Sequence, residues 1–375
     1  MTIYLDHNAT TPVRPEAAEA VLAALAVTGN PSSVHGAGRR ARALVEDARD
    51  KVAALVGARP EDVIFTSGGT EANNLALANA ADGPVFASAV EHVSVLKGID
   101  GVAAVPVDAD GVIDLAALEQ RLTDALLKVG AGRALVSLML ANNETGVIQP
   151  VREAAEIAAR HDAIIHCDAV QAAGKLPVSL RELGVQMLSL SAHKIGGPAG
   201  IGALVVAPGH QATAAIRGGG QERSRRGGTE NLAGIAGFGA AAERALADRA
   251  RMAELAALRD RMEARILAAS PDTRVFARDR DRLHNTSCLT MPGVASETQV
   301  MSFDLEGIAV SAGAACSSGK VEPSHVLAAM GASEEDRRTA LRVSLGWTTT
   351  KADVDAFAAA WTALHARLGQ GSLAA

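Results

Sequence analysis

The residues of this chain best suited to chemistry stand where apolar runs give way to turns. Ser189-Leu190-Ser191-Ala192-His193-Lys194 ends such a run and precedes Gly196-Gly197-Pro198. A lysine at a strand end, followed by glycines that allow close approach, suits a Schiff-base nucleophile, and Ser191 and His193 beside it suit a phosphate. A solvated lysine would do none of this, so the assignment depends on the other stretches. In His166-Cys167-Asp168-Ala169-Val170-Gln171, Asp168 follows the strand-like residues 163–166. It therefore stands at a carboxyl edge, where open α/β sheets bind ligands. A carboxylate there either keeps a pyridine nitrogen protonated, which makes a pyridoxal ring an electron sink, or caps the next helix. Cys167 reads as a small buried residue.

Two further stretches fit the same chemistry. Thr66-Ser67-Gly68-Gly69-Thr70-Glu71 joins a strand to a helix. Its backbone N–H groups and the Thr70 hydroxyl form either an anion site or a tight turn with Thr70 as cap. Residues 311–319 are only Ser, Ala and Gly apart from Cys316. Such a stretch packs poorly, so it is expected to be a mobile loop carrying a nucleophilic thiol. Asn142-Asn143-Glu144-Thr145-Gly146 follows another strand. Arg342 alternates with apolar neighbours in Leu341-Arg342-Val343, a pattern that calls for a bound anion or an internal carboxylate partner.

The elements that must position these residues alternate β-branched runs with alanine-rich helical ones. Strands are expected at 63–66, 85–87, 134–140, 163–166, 187–190 and 203–206, with helices over about 70–80 and 150–161 between them. That order implies βαβ units and a mostly parallel sheet with helices on both faces. Apolar residues at helical spacing, Leu255, Leu258, Met262 and Ile266, predict one long helix from Ala240 to about Ala269. Beyond it come a strand at 287–290, a helix at about 297–305 and a last helix from Lys351 to about Leu368. The fold class is therefore α/β. A large domain is expected over 13–250, with a smaller α+β domain from 1–12 and 251–375 that carries the Cys316 loop.

Composition excludes several classes. The chain has 375 residues, 48% hydrophobic and 21% charged, a globular balance, and no apolar run long enough to span a bilayer. A net charge of −6 and 2% aromatic residues argue against a nucleic-acid binder. The three cysteines are far apart and show no metal spacing, so neither a disulfide framework nor a metal site is expected. The opening residues lack the pattern of a secretory signal, which makes the cytoplasm the expected compartment.

Taken together these stretches resemble the cysteine desulfurases of the NifS/IscS type, within the class V aminotransferase-like enzymes of fold type I. The resemblance runs in order through YLDHNATTP (4–12), NPSSVHGAGR (30–39), FTSGGTEANN (65–74), EHVSV (91–95), NNETG (142–146), HCDAVQAAGK (166–175), SLSAHKIGGPAGIGAL (189–204), GGGQERSRRGGTEN (218–231), VSAGAACSSGKVEPSHVL (310–327) and LRVSLG (341–346). It implies a mostly parallel seven-stranded type of sheet and pyridoxal 5'-phosphate as cofactor. Lys194 would bind it covalently, Asp168 would pair with the pyridinium nitrogen, and Gln171 would reach the ring hydroxyl. His92 would stack on the ring and carry protons. Gly69, Thr70, Ser191 and His193 would hold the phosphate, and Thr229 would complete that site from a second subunit, which implies a homodimer. Asn143 would border the cofactor and, with Arg342, bind the carboxylate of L-cysteine. Cys316 would take the substrate sulfur as a persulfide and pass it to an acceptor such as an iron–sulfur scaffold protein. A lyase or aminotransferase on the same scaffold would use Lys194 and Asp168 without needing Cys316.

Overall fold

The apolar runs at 63–66, 85–88, 135–139, 164–168, 187–191 and 202–206 become strands of one sheet because neither of its faces meets water. The computed structural model describes residues 2–80, 83–127, 132–315, 321–322 and 324–369. In chain order the strands are β1 (Ile3–Tyr4), β2 (Val63–Thr66), β3 (Val85–Ser88), β4 (Ala103–Val105), β5 (Leu135–Met139), β6 (Ile164–Asp168) and β7 (Met187–Ser191). They continue as β8 (Gly202–Val206), β9 (Thr286–Thr290), β10 (Ile308–Ala309), β11 (Ala314–Ala315), β12 (Val321–Glu322) and β13 (Ala340–Ser344).

The main sheet has seven strands in the order β2-β8-β7-β6-β5-β3-β4. Strand β8 runs antiparallel to both its neighbours and the other pairings are parallel. This is the mostly parallel, seven-stranded α/β sheet that the family resemblance implies; the residue pattern marks six of its strands and not Ala103–Val105. Its topology explains why the chemistry converges. β2, β3, β5, β6 and β7 all end at the same edge, so the turns after Thr66, Ser88, Met139, Asp168 and Ser191 form one rim.

Helices Pro15–Leu25, Gly36–Leu55 and Leu232–Ala247 pack together beside this sheet. The crossing is close: a Cβ on Gly239 would lie 2.6 Å from Ala48 Cα, so no larger residue fits. The long helix expected over 240–269 is two helices, Leu232–Ala247 and Arg249–Ala269. They part at Asp248, whose carboxylate pairs with Arg14 at 2.6 Å and Arg244 at 3.1 Å. Helical periodicity carries no information about such a tertiary contact. No helix among the described residues is long and apolar enough to cross a membrane.

A second apolar cluster joins Leu5 to Met262, Ile266, Leu289, Phe303, Leu341, Val343, Phe357 and Trp361. Strand β13 pairs antiparallel with β9, and its alternation sends Leu341 and Val343 into this cluster and Arg342 to the opposite face. The N-terminal segment links the two bodies. β1 pairs with β10, and then Thr11 N–H and Arg14 N–H donate to the carbonyls of His193 and Gly196. Residues 5–14 thus lie between the Lys194 turn and the second cluster.

Candidate active site

The site is built on the rim of the main sheet. Asp168 is the last residue of β6 and is 6% exposed. One carboxylate oxygen accepts from Asn73 Nδ2 at 2.7 Å and the other from the Val170 N–H at 2.9 Å. Among the described residues no cation makes an ion pair with it. A buried carboxylate held only by neutral donors is a fitting partner for a protonated ring nitrogen.

Lys194 ends the short turn after β7, and its Nζ donates to the carbonyls of Asn8 at 2.5 Å and Ala9 at 2.7 Å. Its pKa is pushed down to about 8, first by burial and then by the Arg342 charge, with Asp6 and Asp168 pulling the other way. A lysine that is part free amine near neutral pH is a competent nucleophile and proton carrier. His193 is held near 4 by burial and by Lys194, and its Nδ1 lies 3.2 Å from Thr10 Oγ1.

The glycine turn after β2 approaches this group closely. A Cβ on Gly69 would lie 2.9 Å from Val170 Cγ2 and 3.4 Å from Ser191 Cβ. The turn and Ser191 therefore share one corner, and Thr70 is exposed beside it. The exposed turn, the Ser191 hydroxyl and the Lys194 amine next to Asp168 together fit pyridoxal phosphate.

His92 follows β3, with its Nδ1 2.8 Å from Ser94 Oγ and accepting from the Ser94 N–H at 3.1 Å. Its pKa is lowered, first by withdrawal from water and then by Lys194 and His325 against the pull of Asp168. Arg342 is 6% exposed, and it donates to Asp6 Oδ1 at 2.8 Å and to the Asn143 carbonyl at 3.1 Å. The Asn143 side chain makes no hydrogen bond among the described residues. Gln171 donates to the Asn8 carbonyl at 2.9 Å and accepts from Lys175 at 2.8 Å.

Thr229 stands apart. It is exposed on a pocket of about 230 Å³ with Ser67, Arg226 and Glu230, which neither Lys194 nor Asp168 lines. Cys316 lies outside the described residues. Of the loop expected at 311–319, Ala314–Ala315 form β11, which pairs antiparallel with β12. Ser311 exchanges both backbone hydrogen bonds with Arg342 at 3.2 and 2.7 Å, so the chain leading to Cys316 is joined to the site directly. On the far side, Ser324 Oγ donates to buried Glu144 at 2.6 Å. Cys167 is fully buried with its thiol pKa pushed well up, as expected of a packing residue.

Sequence reasoning missed the residue at the centre. Asn8 accepts from Lys194 and Gln171 at its carbonyl and from Lys175 and Asn285 at its side chain, and it donates to Thr286 and the Asn143 carbonyl. The amine of Lys175 is buried among these partners, and burial pushes its pKa well down. Both residues lie inside the stretches 4–12 and 166–175. The signal was a polar residue in a segment, 4–12, that gives only Leu5 to an apolar cluster.

Comparison with known proteins agrees with this geometry. Residues 3–357 match the family described as aminotransferase class-V. The chain is 47% identical to a cysteine desulfurase of Cereibacter sphaeroides over 94% of its own length and 93% of the relative's. It is 40% identical to the cysteine desulfurase IscS of Dictyoglomus turgidum over 94% and 92% of the two lengths. Its fold superposes on the X-ray structure of a NifS-like protein from Rickettsia africae with a TM-score of 0.90 and 36% identity, covering 98% of this chain and 100% of that one.

Proposed function

The chain belongs to the class-V aminotransferase family and uses pyridoxal phosphate, and from that premise we propose that it is a cysteine desulfurase whose site residues divide the work as follows. The observation that carries the reading is the meeting of Lys194, Asp168 and Arg342 at one rim, with the lysine pKa held down to about 8. Pyridoxal phosphate, when bound, supplies an electron sink for the charge that develops at the substrate Cα.

Asp168 keeps the ring nitrogen protonated. Gly69, Thr70, Ser191 and His193 hold the phosphate, and Gln171 and His92 contact the ring. Lys194 holds the cofactor and carries the Cα proton at Nζ. Arg342 exchanges Asp6 for the carboxylate of L-cysteine, and the unpaired Asn143 amide provides a second donor. The Cys316 thiolate takes the substrate sulfur. One C–S bond breaks and one S–S bond forms, so L-cysteine and a thiol become L-alanine and a persulfide. The persulfide then passes to an acceptor, such as an iron–sulfur scaffold protein.

Thr229, exposed and away from its own Lys194, completes the phosphate site of a second copy, so the working unit is a homodimer. Chemistry through a free thiol suits the cytoplasm, where thiols stay reduced. The test is release of sulfide and alanine from L-cysteine with a reductant, for wild type and Cys316→Ser side by side. Equal amounts from wild type and neither from the variant are expected. Undiminished turnover by the variant would sink the reading.

A further inference from the structure

We propose that Asn73 and Ser94 are positioning residues that lock the His92 ring in a single tautomer, with its proton on Nε2, and tie that choice to the Asp168 carboxylate. The inference deepens the reading above and rests on His92 and Asp168 both serving the cofactor.

The direction of each hydrogen bond follows from the two ends of the chain. An ionised carboxylate only accepts. Asn73 must therefore turn its amide nitrogen toward Asp168 Oδ2, 2.7 Å away. The same nitrogen has a second hydrogen, and it goes to Ser94 Oγ at 2.9 Å. Accepting there leaves the Ser94 hydroxyl hydrogen free, and the other end decides where it goes. The Ser94 backbone N–H donates to His92 Nδ1 from 3.1 Å, which bars a hydrogen on that atom, so the hydroxyl gives its own hydrogen to Nδ1 at 2.8 Å. Nδ1 is thus an acceptor twice over, and a hydrogen on it would face another N–H. The ring proton is left on Nε2, which has no hydrogen-bond partner among the described residues.

Two features set this chain of bonds apart from ordinary packing. Asn73 is 1% exposed and its Oδ1 has no partner among the described residues, so the buried amide gives up its acceptor bond to direct both hydrogens into the relay. The residues also come from separate elements: Asn73 from helix Gly69–Leu77, Ser94 from the turn that His92 caps, and Asp168 from the end of β6. The phosphate corner and the ring-contacting histidine are thereby held in one frame.

The consequence is a division of labour. His92 presents a fixed N–H donor at Nε2. Charging the ring would require a proton on Nδ1 and the loss of both bonds there, and Lys194 and His325 oppose that charge while Asp168 favours it. Movement of the Cα proton is then left to Lys194 Nζ.

The test uses holoenzyme labelled with ¹⁵N-histidine, with the His92 signals assigned by their loss in His92→Gln. Two-bond ¹H–¹⁵N correlation reads the tautomer. Wild type is expected to show Nε2–H alone, and Ser94→Ala and Asn73→Leu to show a mixture. In Ser94→Ala, kcat for L-cysteine should fall about tenfold with KM within about twofold, and Ser94→Thr, which keeps the hydroxyl, should restore both readouts. A wild-type proton on Nδ1, or an unchanged tautomer in both Ser94→Ala and Asn73→Leu, overturns the proposal. Wild-type enzyme that releases no sulfide would instead overturn the functional reading and leave the tautomer measurement standing.

Discussion

Two buried arginines in this molecule are held in opposite ways. Beneath β2, Arg49 gives both ends of its fork to Glu222 at 2.7 and 2.9 Å, its Nε to Glu46 at 3.0 Å, and a further bond to the Val63 carbonyl. It also lies 4.8 Å over the Phe65 ring, so the charge is fully engaged. At the rim, Arg342 makes one bond to Asp6 and one to a carbonyl, and its buried Nε has no partner among the described residues. Lys175 and Lys194 differ in their partners rather than in saturation. Each makes two hydrogen bonds among the described residues, the first to the side-chain oxygens of Asn8 and Gln171 and the second to the carbonyls of Asn8 and Ala9. Arg49 is committed to the fold. Arg342 keeps a spare donor beside Asp168 and Lys194, where a substrate carboxylate can exchange with Asp6.

The contrast can be broken at four places. Lys194→Ala removes the nucleophile, and turnover of L-cysteine should fall by about a thousandfold or more with the fold intact, as followed by sulfide release and circular dichroism. Arg342→Met should lower kcat/KM for L-cysteine about a hundredfold, because the substrate carboxylate loses its charged partner. Its melting temperature should change less than that of Arg49→Met. Arg49→Met strands Glu222 in the interior, so it should cost about 3–5 kcal/mol in denaturant unfolding while kcat of the folded enzyme stays near wild type. An equal loss of kcat in Arg49→Met would erase the distinction.

The smallest effect is a pH shift. On the proposed role of Lys194 its free amine takes up the cofactor, so uptake of pyridoxal phosphate by the apoenzyme should accelerate as pH rises through about 8. Arg342 lowers this pKa and Asp6 raises it. Arg342→Met should therefore move the midpoint up, and Asp6→Asn should move it down. The same depression works against stability below the folded pKa. Between about 8 and the usual lysine value, the unfolded chain binds more protons at this group, so its contribution to stability rises with pH. Stopped-flow absorbance of cofactor uptake reads the midpoint, and a shift of the wrong sign in either variant would refute the assignment.

Much of this site was legible in the chain. Asp168 and Lys194 stand directly after runs of buried strand residues, and a parallel sheet brings such positions to one edge whatever the details of packing. Arg342 was visible as a charge alternating with apolar residues, and β13 does turn it away from Leu341 and Val343. The break at Asp248 was not legible, and neither was the ion pair this residue makes with Arg14, far away in sequence. Nor was the role of Asn8, whose partners come from residues 143, 171, 175, 194, 285, 286 and 344.

Local periodicity and glycine-marked turns were enough to order six strands of the main sheet, to give its mostly parallel α/β plan and to show which residue types stand at its carboxyl edge. The seventh strand, Ala103–Val105, came only with the family resemblance and the structure. Only the tertiary structure decided which polar groups are saturated and which are left free. Donor and acceptor pairing depends on atoms brought within about 3 Å across segments hundreds of residues apart, and no local pattern encodes that distance. The N-terminal segment shows the physical reason most plainly. Residues 5–14 are too few to fold alone, yet between two cores they supply the carbonyls that hold Lys194 and the carboxylate that holds Arg342.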